Sequence, residues 1–354
     1  MSDDSYMDRI VNKTALQSYL EIELGAAETY EIEHHQAGHS NETLFVTWGN
    51  HELVLRRPPP GSKADTAHDV LREYRVINAL QDTDVRVPKT VRACEDDSVI
   101  GSEFYLMERI EGDVIREAEP ERFSDPDIRE RIGEELIDRL AEIHAVDYEA
   151  VGLEEFGRPD GYIKRQVERW HKQFEWAFDV TEAEREVPEI ADIGAWLDDN
   201  IPESYPHALV HGDYKLDNVM FGTSILPEIV GIFDWELSTL GDPRFDLAWV
   251  LTYWRDPDDP EPAIPQLIPT FTDRPGYPTK AELVQRYETQ TGLNFEGGRF
   301  YRTLSVYKLT ALCEMFFRRH LEGNADNPMY PQMREQVPEM AAWGLRIIDG
   351  EEPI

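Results

Sequence analysis

The stretch best suited to chemistry is a polar segment set between two short apolar runs. Residues 209–221 read LVHGDYKLDNVMF, with Asp213, Lys215 and Asn218 at spacings of two and three. A further acid, Asp234, directly follows the next apolar run. A carboxylate suits the positioning and late deprotonation of a hydroxyl group, while carboxylate and amide oxygens are the hard ligands that Mg²⁺ takes. These residues predict phosphoryl transfer; the alternative is an acidic turn in an acidic protein.

Short strands must position these acids. Apolar runs predict strands at residues 208–210 and 219–221, which would hold the first acidic segment as a loop between them. A third strand at residues 229–233 would end at Asp234. Two loops that project from neighbouring strands hold their oxygens together more rigidly than one flexible loop.

The N-terminal third of the chain predicts a small β-sheet with one inserted helix. Alternating apolar residues and turn signals, including Gly49-Asn50, indicate about five strands. A helical period indicates a first helix at 8–24 and another at 66–80, after the third strand. The predicted strands are residues 30–37, 43–48, 51–57, 89–94 and 103–110.

The remainder of the chain predicts helices. Asp125-Pro126 has the cap-then-proline form of a helix start. The chain is therefore expected to have two lobes: a β-rich lobe at residues 1–109 and a larger helical lobe at 110–354. The predicted helices are residues 125–144, 160–178, 190–200, 245–253, 280–290, 298–320 and 332–348.

Three motifs resemble one known family. VLRRPPPG at 54–61, HGDYKLDN at 211–218 and FDWE at 233–236 resemble the aminoglycoside phosphotransferase and choline kinase superfamily. They are most similar to the branch that includes the kinase domain fused to some acyl-CoA dehydrogenases, which is associated with 4-hydroxyacyl-CoA phosphorylation. The resemblance runs from about residue 30 to 348. It implies an α+β, bilobal protein-kinase-like fold, with one main helix in the β-rich N-lobe and a mainly helical C-lobe.

The resemblance also implies an activity and its cofactors. The expected reaction transfers the γ-phosphoryl group of ATP to a hydroxyl group of a small-molecule acceptor, with Mg²⁺ as the metal. Asp213 is the implied catalytic base, and Lys215 would steady the transferred group. Asn218 and Asp234 are the implied Mg²⁺ ligands.

Three further residues near these motifs have more open roles. Glu236 stands where protein kinases have a glycine, so we expect no loop flip there. It either supports the metal site, meets the substrate or is an exposed acid. His211 is expected to pack inside the catalytic loop. Asp246 is expected to brace that loop through backbone amides.

In the N-lobe, the resemblance implies a nucleotide site. Ser40 and Asn41 end a turn expected to cover the phosphates, although a plain hairpin turn would look the same. The third strand ends in Arg56-Arg57 where the family pattern has a lysine, which leaves open which arginine contacts the phosphates. Glu73, on the next helix, is either the ion-pair partner of that arginine or a surface acid.

The expected hinge and acceptor site are inferred from where their residues lie in the sequence. Adenine would bind backbone groups near Glu108 and Ile110, unless this is an edge strand without a ligand. The identity of the acceptor stays open. It is either a cation surrounded by aromatic side chains or a coenzyme A ester held by basic side chains. The aromatic candidates, which are also typical of a core, are Trp170, Phe174, Trp176, Tyr253 and Trp254, and the basic ones are Lys164, Arg165, Arg169, Arg318 and Arg319.

The net charge of the chain argues against some classes of protein. The 354 residues include 71 Asp+Glu against 35 Lys+Arg, a net charge of −36, which argues against nucleic-acid and membrane partners. The acids are spread along the whole chain, which predicts a halophilic protein in a salt-rich cytoplasm. No apolar run is long enough to cross a bilayer, and the N-terminus lacks a signal-peptide pattern. Cys94 and Cys313 are expected to be buried thiols.

Two rival functions stay open. The same scaffold suits nucleotidyl transfer onto protein hydroxyl groups, and a catalytically silent nucleotide sensor or scaffold is the alternative outside enzymes. The intact Asp213, Asn218 and Asp234 argue against the silent protein, while Arg56 favours it. Neither the acceptor nor the oligomeric state follows from the sequence.

Overall fold

The N-terminal segment forms two helices. The computed structural model describes residues 3–35, 41–60, 69–324 and 327–352. Helix α1 (Asp3–Ile10) and helix α2 (Lys13–Leu24) meet at Asn12, whose side chain accepts a hydrogen bond from the Ala15 N–H and caps α2. The single helix predicted at 8–24 is therefore wrong. An Asn side chain accepts hydrogen bonds from the free backbone N–H groups at a helix start, so Asn is favoured as a helix cap and disfavoured inside a helix.

An antiparallel sheet follows, with strand order β1-β2-β3-β5-β4. Its strands are β1 (Tyr30–His35), β2 (Glu42–Trp48), β3 (His51–Arg57), β4 (Thr90–Cys94) and β5 (Phe104–Glu108). Between β3 and β4, helix α3 (Val70–Ala79) packs on β4 and β5, and Asp69 caps it by accepting from the Arg72 N–H. The predicted first residues of this helix, 66–68, lie outside the described residues.

The two faces of this sheet pack on different cores. Alternation along β3 turns Leu53 and Leu55 toward α1 and α2, in a core of their own. Val54 faces the other way, into the larger core that continues through α3 into the helical region. The expected buried thiols are confirmed, since Cys94 and Cys313 are both buried and free.

The rest of the chain is mainly helical, which confirms the expected α+β fold. The helices are α4 (Pro126–His144), α5 (Tyr162–Thr181), α6 (Glu189–Asp199), α7 (Pro243–Thr252), α8 (Lys280–Thr291), α9 (Gly298–Leu321) and α10 (Met333–Asp349), and the strands are β6 (Ala208–Val210), β7 (Val219–Phe221), β8 (Ile229–Ile232) and β9 (Thr239–Gly241). The central helix is α9, which packs against α5, α7 and α10. Pairs of short antiparallel strands, β6 with β9 and β7 with β8, carry the loops between the helices; β9 was not predicted. Within the described ranges, none of the helices has the length and apolar content that crossing a bilayer requires.

Candidate active site

The loop between β6 and β7 is fixed at its start by a buried carboxylate. Asp246, on α7, accepts hydrogen bonds from the backbone N–H groups of His211 at 2.6 Å and Gly212 at 2.9 Å. The expected bracing by Asp246 is confirmed. Gly212 has a φ of 84°, and a Cβ there would lie 2.6 Å from the Leu237 carbonyl oxygen, so only glycine fits.

His211 is a structural part of the loop, as predicted. Its ring is buried, its Nδ1 accepts from the Asp213 N–H at 3.2 Å, and its Nε2 donates to the Phe233 carbonyl at 2.9 Å. Burial lowers the pKa of His211, which keeps the ring neutral. The bond to Phe233 ties the first acidic loop to the one that carries Asp234.

Asp213 has a separate donor for each carboxylate oxygen. The Trp249 indole Nε1 donates to Oδ1 at 2.8 Å, and the Asn218 Nδ2 donates to Oδ2 at 2.9 Å. Burial alone would raise the pKa of Asp213, but the Lys215 and Lys308 ammonium groups outweigh it and hold the pKa below its usual value. The carboxylate is thus ionised and oriented, as a base that receives a proton late in the reaction requires.

Lys215 lies between two acids of the same loop. Its Nζ is 3.6 Å from Asp213 Oδ2 and 3.5 Å from Asp217 Oδ2. Burial alone would lower the pKa of Lys215, but these carboxylates raise it, so the side chain is a cation next to the candidate base. A fixed ammonium at this position can neutralise charge on a phosphoryl group.

Asp234 adopts a backbone conformation that is rare for its residue type. Its φ is 64°, the single positive value outside glycine in the described part of the chain. Its Oδ1 is buried without a hydrogen-bond partner among the described residues, and the nearest cation is the Arg56 guanidinium at 3.8 Å. Burial and the Asp213 charge raise the pKa of Asp234 despite this arginine. Its surroundings therefore compensate the negative form of this carboxylate only in part.

These donors fit a magnesium ion. The Asn218 Nδ2 is used by the Asp213 backbone and side chain, which leaves the amide oxygen of Asn218 as its metal-binding atom. Asp234 supplies its Oδ1, a carboxylate oxygen that has no hydrogen-bond partner among the described residues. Two protein ligands can be enough for Mg²⁺, which completes its shell with phosphate oxygens and water.

Arg56 faces this site, and Arg57 does not. The Arg56 guanidinium lies 3.4 Å from both Glu73 carboxylate oxygens and donates to Thr43 Oγ1 at 2.9 Å. The expected contact between Arg56 and Glu73 is present, and Glu73 is buried, not a surface acid. Burial raises the pKa of Glu73, an effect that the arginine opposes. Arg57 bonds instead to backbone carbonyls, including Pro58 at 2.9 Å and Ile10.

Of the turn that is predicted to cover the phosphates, only the end lies within the described residues. Ser40 lies outside the described residues. Asn41 is buried, and its Nδ2 donates to the Glu236 carboxylate at 3.3 Å. Glu236 thus contacts the end of this turn from the loop that carries Asp234.

At the predicted hinge, Glu108 is the last residue of β5, which pairs with β4, and Ile110 follows two residues later. The Glu108 backbone N–H donates to the Lys89 carbonyl at 2.8 Å, and its exposed carboxylate pairs with the Lys89 ammonium at 2.9 Å. Ile110 is half-buried, and its side chain lies near Gly231 of β8. The structure therefore brings Ile110, in the predicted hinge, next to the strand that leads to Asp234.

Two residues of this site escaped the sequence analysis. Trp249 and Lys308 belong to helices α7 and α9, far in sequence from the loop that they contact. Trp249 left no signal among the other aromatic residues of an apolar helix. Lys308 did leave one, because it is a lysine inside the apolar run SVYKLTALC, and lysine is rarely buried without a specific partner.

Together, the sheet lobe, the helical lobe and the two facing acidic loops define a kinase-like phosphotransferase. A model of the phosphotransferase enzyme family matches residues 31–283. This is more than half of the 354 residues, and the chain therefore belongs to this family. The predicted resemblance is confirmed.

Curated relatives carry the same region within longer proteins. The chain is 33% identical over 348 residues to human acyl-CoA dehydrogenase family member 11, covering 94% of this chain and 42% of that protein. It is 33% identical over 350 residues to mouse acyl-CoA dehydrogenase family member 10, covering 96% of this chain and 32% of that protein. The chain thus spans less than half the length of these relatives.

Solved structures agree with this assignment. A Ralstonia eutropha protein provisionally described as an aminoglycoside phosphotransferase is 30% identical, with a TM-score of 0.82 over 96% of this chain and 99% of that one. Choline kinase from Cryptosporidium parvum is 11% identical, with a TM-score of 0.66 over 96% and 97%, and shows the fold alone. Family and fold support a small-molecule phosphotransferase, and the kinase-like family implies the use of ATP.

Proposed function

We propose that this protein transfers the γ-phosphoryl group of ATP to a hydroxyl group of a small-molecule acceptor. The convergence of Asp213, Lys215 and Asn218 on Asp234 carries the proposal, because it joins an oriented base, a cation and two metal-type oxygens. In this assignment Asp213 receives the acceptor proton, and Lys215 neutralises charge on the transferred group.

The nucleotide is assigned to the cleft between the lobes at residues 1–109 and 110–354. Its phosphates would lie near Arg56 and the turn that ends at Asn41, with adenine at the backbone of Glu108 and Ile110. The contact between Arg56 and Glu73 supports this assignment, because it holds a cation toward the metal-binding side of the cleft. Bound Mg²⁺ would be held by Asn218 and Asp234 and would neutralise phosphate charge.

We take a small cavity beside the catalytic loop as one contact point of the acceptor, where an anionic or hydrogen-bond-accepting group would fit. Among its described lining residues are two cations, Arg169 and Lys308, and no acid, although the chain has 71 Asp+Glu. Trp170 also lines the cavity, and its indole N–H is buried without a partner among the described residues. A cationic aminoglycoside or choline would meet like charges at this position.

These features favour a hydroxyacyl-coenzyme A as acceptor. Such an ester combines a hydroxyl group with carbonyl and phosphate oxygens that donors and cations recognise. The likeness to acyl-CoA dehydrogenase family members 10 and 11 points to the same class of metabolite. Of the basic residues suggested by the sequence, Arg169 lines the cavity, while Lys164, Arg165 and Arg318 contact groups elsewhere.

The reaction is tested by Asp213→Asn in molar KCl with MgATP and a panel of hydroxyacyl-CoAs, aminoglycosides, choline and sugars. Wild-type protein is expected to add the mass of one phosphate to an acceptor. The variant should lose about 10²–10⁴-fold in kcat while MgATP still raises its melting temperature. Addition of AMP to a protein hydroxyl would establish nucleotidyl transfer instead. Stabilisation by ATP without consumption against any acceptor would establish a silent sensor.

The acceptor class is tested by reversing one charge at the cavity. Arg169→Glu is expected to raise the KM for a hydroxyacyl-CoA about tenfold and to leave the KM for ATP unchanged. Lys172→Glu is the matched control, since Lys172 is exposed on the same helix and does not line the cavity. Equal effects of the two variants, or phosphorylation of aminoglycosides alone, would contradict this acceptor class.

A further inference from the structure

Lys308 is a buried cation whose partners belong to the catalytic loop. Its side chain lies in the middle of α9, and the residue is 3% exposed. Its Nζ donates to the Gly212 carbonyl oxygen at 2.7 Å and lies 3.5 Å from the centroid of the Trp249 ring. No salt bridge to Lys308 occurs among the described residues. A buried lysine without a paired carboxylate is costly and needs another reason to be retained.

Trp249 connects this cation to Asp213. One face of the indole lies under the Lys308 ammonium, and the indole N–H donates to Asp213 Oδ1 at 2.8 Å. A cation over the ring draws electron density from it, which makes the N–H a stronger donor to the carboxylate. At the same time, the Lys308 bond to Gly212 fixes the residue directly before Asp213. Lys308 therefore acts on the carboxylate by two routes, the backbone and the indole.

We propose that Lys308 and Trp249 form a positioning pair that holds the Asp213 carboxylate in the orientation needed to receive the acceptor proton. This inference rests on the proposed phosphotransferase function and adds two residues to it. Neither needs to touch the transferred phosphoryl group. Asn218 holds the other carboxylate oxygen, so loss of the pair leaves Asp213 charged but free to rotate away from the acceptor.

The ammonium charge should make this positioning sensitive to alkaline pH. Burial lowers the pKa of Lys308 to about 8, with Asp213 and Asp246 opposing the shift and Arg169 and Lys215 adding to it. Above that pH the neutral amine no longer attracts the indole face. Turnover is therefore expected to decline near pH 8, while a permanently charged side chain at this position should remove the decline.

The experiment uses acceptor-independent ATP hydrolysis by the full chain in molar KCl, between about pH 6 and about pH 10. Trp249→Phe and Lys308→Met should each lower kcat roughly tenfold with the KM for ATP unchanged. Lys308→Arg should keep more activity than Lys308→Met and lose the decline near pH 8. Trp48→Phe is the matched control, because Trp48 is a buried indole that donates to the Gly25 carbonyl at 3.0 Å, away from the site.

A second readout does not depend on activity. The Trp249 indole proton resonance, assigned by its loss in Trp249→Phe, should shift with a midpoint near the Lys308 pKa of about 8 in wild-type protein and stay constant in Lys308→Arg. Wild-type kcat in Lys308→Met, or an unchanged alkaline decline in Lys308→Arg, would overturn the positioning role. If the wild-type protein hydrolyses no ATP without an acceptor, the proposed function is still decided by the acceptor panel, and the indole shift then decides the inference alone.

Discussion

Arg56 and Arg57 are neighbours in sequence, but their guanidinium groups lie on opposite faces of the N-terminal sheet. Arg56 faces α3 and pairs with Glu73 at 3.4 Å. Arg57 faces α1, where it is buried and bonds to the Ile10 and Ile100 carbonyls. Alternation along β3 places one arginine in the candidate site and the other in the structural core of the lobe.

This arrangement predicts different defects for the two arginines. Arg56→Met should raise the KM for ATP at least about tenfold and lower the free energy of unfolding by about 3 kcal/mol, because it leaves Glu73 buried without its cation. Adding Glu73→Gln should restore most of the stability and none of the ATP affinity. Steady-state kinetics and urea unfolding measure the two effects separately.

The matched variant is Arg57→Met. It should lower the free energy of unfolding by about 2 kcal/mol, because backbone carbonyls lose a buried donor, with the KM for ATP unchanged. If Arg57→Met were to impair ATP binding while Arg56→Met spared it, the assignment of Arg56 to the nucleotide site would be wrong.

The same pair of arginines illustrates what the sequence could predict. Alternation and turn signals were enough to predict β3 and the lobe that contains it. They could not decide between Arg56 and Arg57, because that choice depends on which sheet face α3 covers, a tertiary contact. The break at Asn12 was missed for a local reason, since one capping side chain outweighed a continuous helical pattern.

The residues of the candidate site also fall into those that the sequence could predict and those that it could not. Asp213, Lys215 and Asn218 lie within one short loop, so their spacing alone suggested their chemistry. Trp249 and Lys308 reach that loop from α7 and α9, at sequence separations of 36 and 96 residues. Residues brought together by helix packing leave no motif, and only the anomaly of a lysine in an apolar helix pointed to one of them.

Asp234 should show a conflict between stability and function. Its carboxylate is half-buried near Asp213, and its Oδ1 is buried without a partner among the described residues. Asp234→Asn should raise the melting temperature in metal-free buffer by a few degrees, because it removes a like charge and Asn tolerates the positive φ. The variant should lose the Mg²⁺-dependent stabilisation by ATP that wild-type protein shows in differential scanning fluorimetry.

Asn218 provides the comparison for this experiment. Asn218→Ala should also lose the Mg²⁺ response, but without any rise in stability, because it removes the donor to Asp213 Oδ2. A full Mg²⁺ response in both variants would show that the metal binds elsewhere.

Asp246 should make stability depend on pH in the acidic range. Burial alone would raise the pKa of Asp246, but the hydrogen bond and charge of His144, together with the contacts from His211, lower it below the usual value. A lowered pKa in the folded state adds stability that is present above about pH 4 and is lost as the pH falls through the folded value. Asp246→Asn should therefore cost about 3 kcal/mol at neutral pH, with the difference from wild type shrinking below about pH 4.

Urea unfolding at a series of pH values measures this dependence. Asp160→Asn serves as the control, since the Asp160 carboxylate is 99% exposed, and its stability should parallel wild type at every pH. A deficit of Asp246→Asn that stayed constant down to about pH 2 would show that the charge of Asp246 is not what stabilises the loop.

The net charge of −36 predicts a dependence on salt that differs between folding and binding. At low salt the carboxylates repel one another across the surface, so the melting temperature should rise by at least about 5 °C from low to molar KCl. The same acids repel ATP, so the KM for ATP should fall as screening begins. It should rise again when salt screens the local attraction of Arg56 and Lys215 for the phosphates. Adenosine, an uncharged competitor, should show a nearly constant inhibition constant over the series. A flat or falling melting curve would contradict salt adaptation, and a parallel change for adenosine would show that the cleft itself, not phosphate charge, responds to salt.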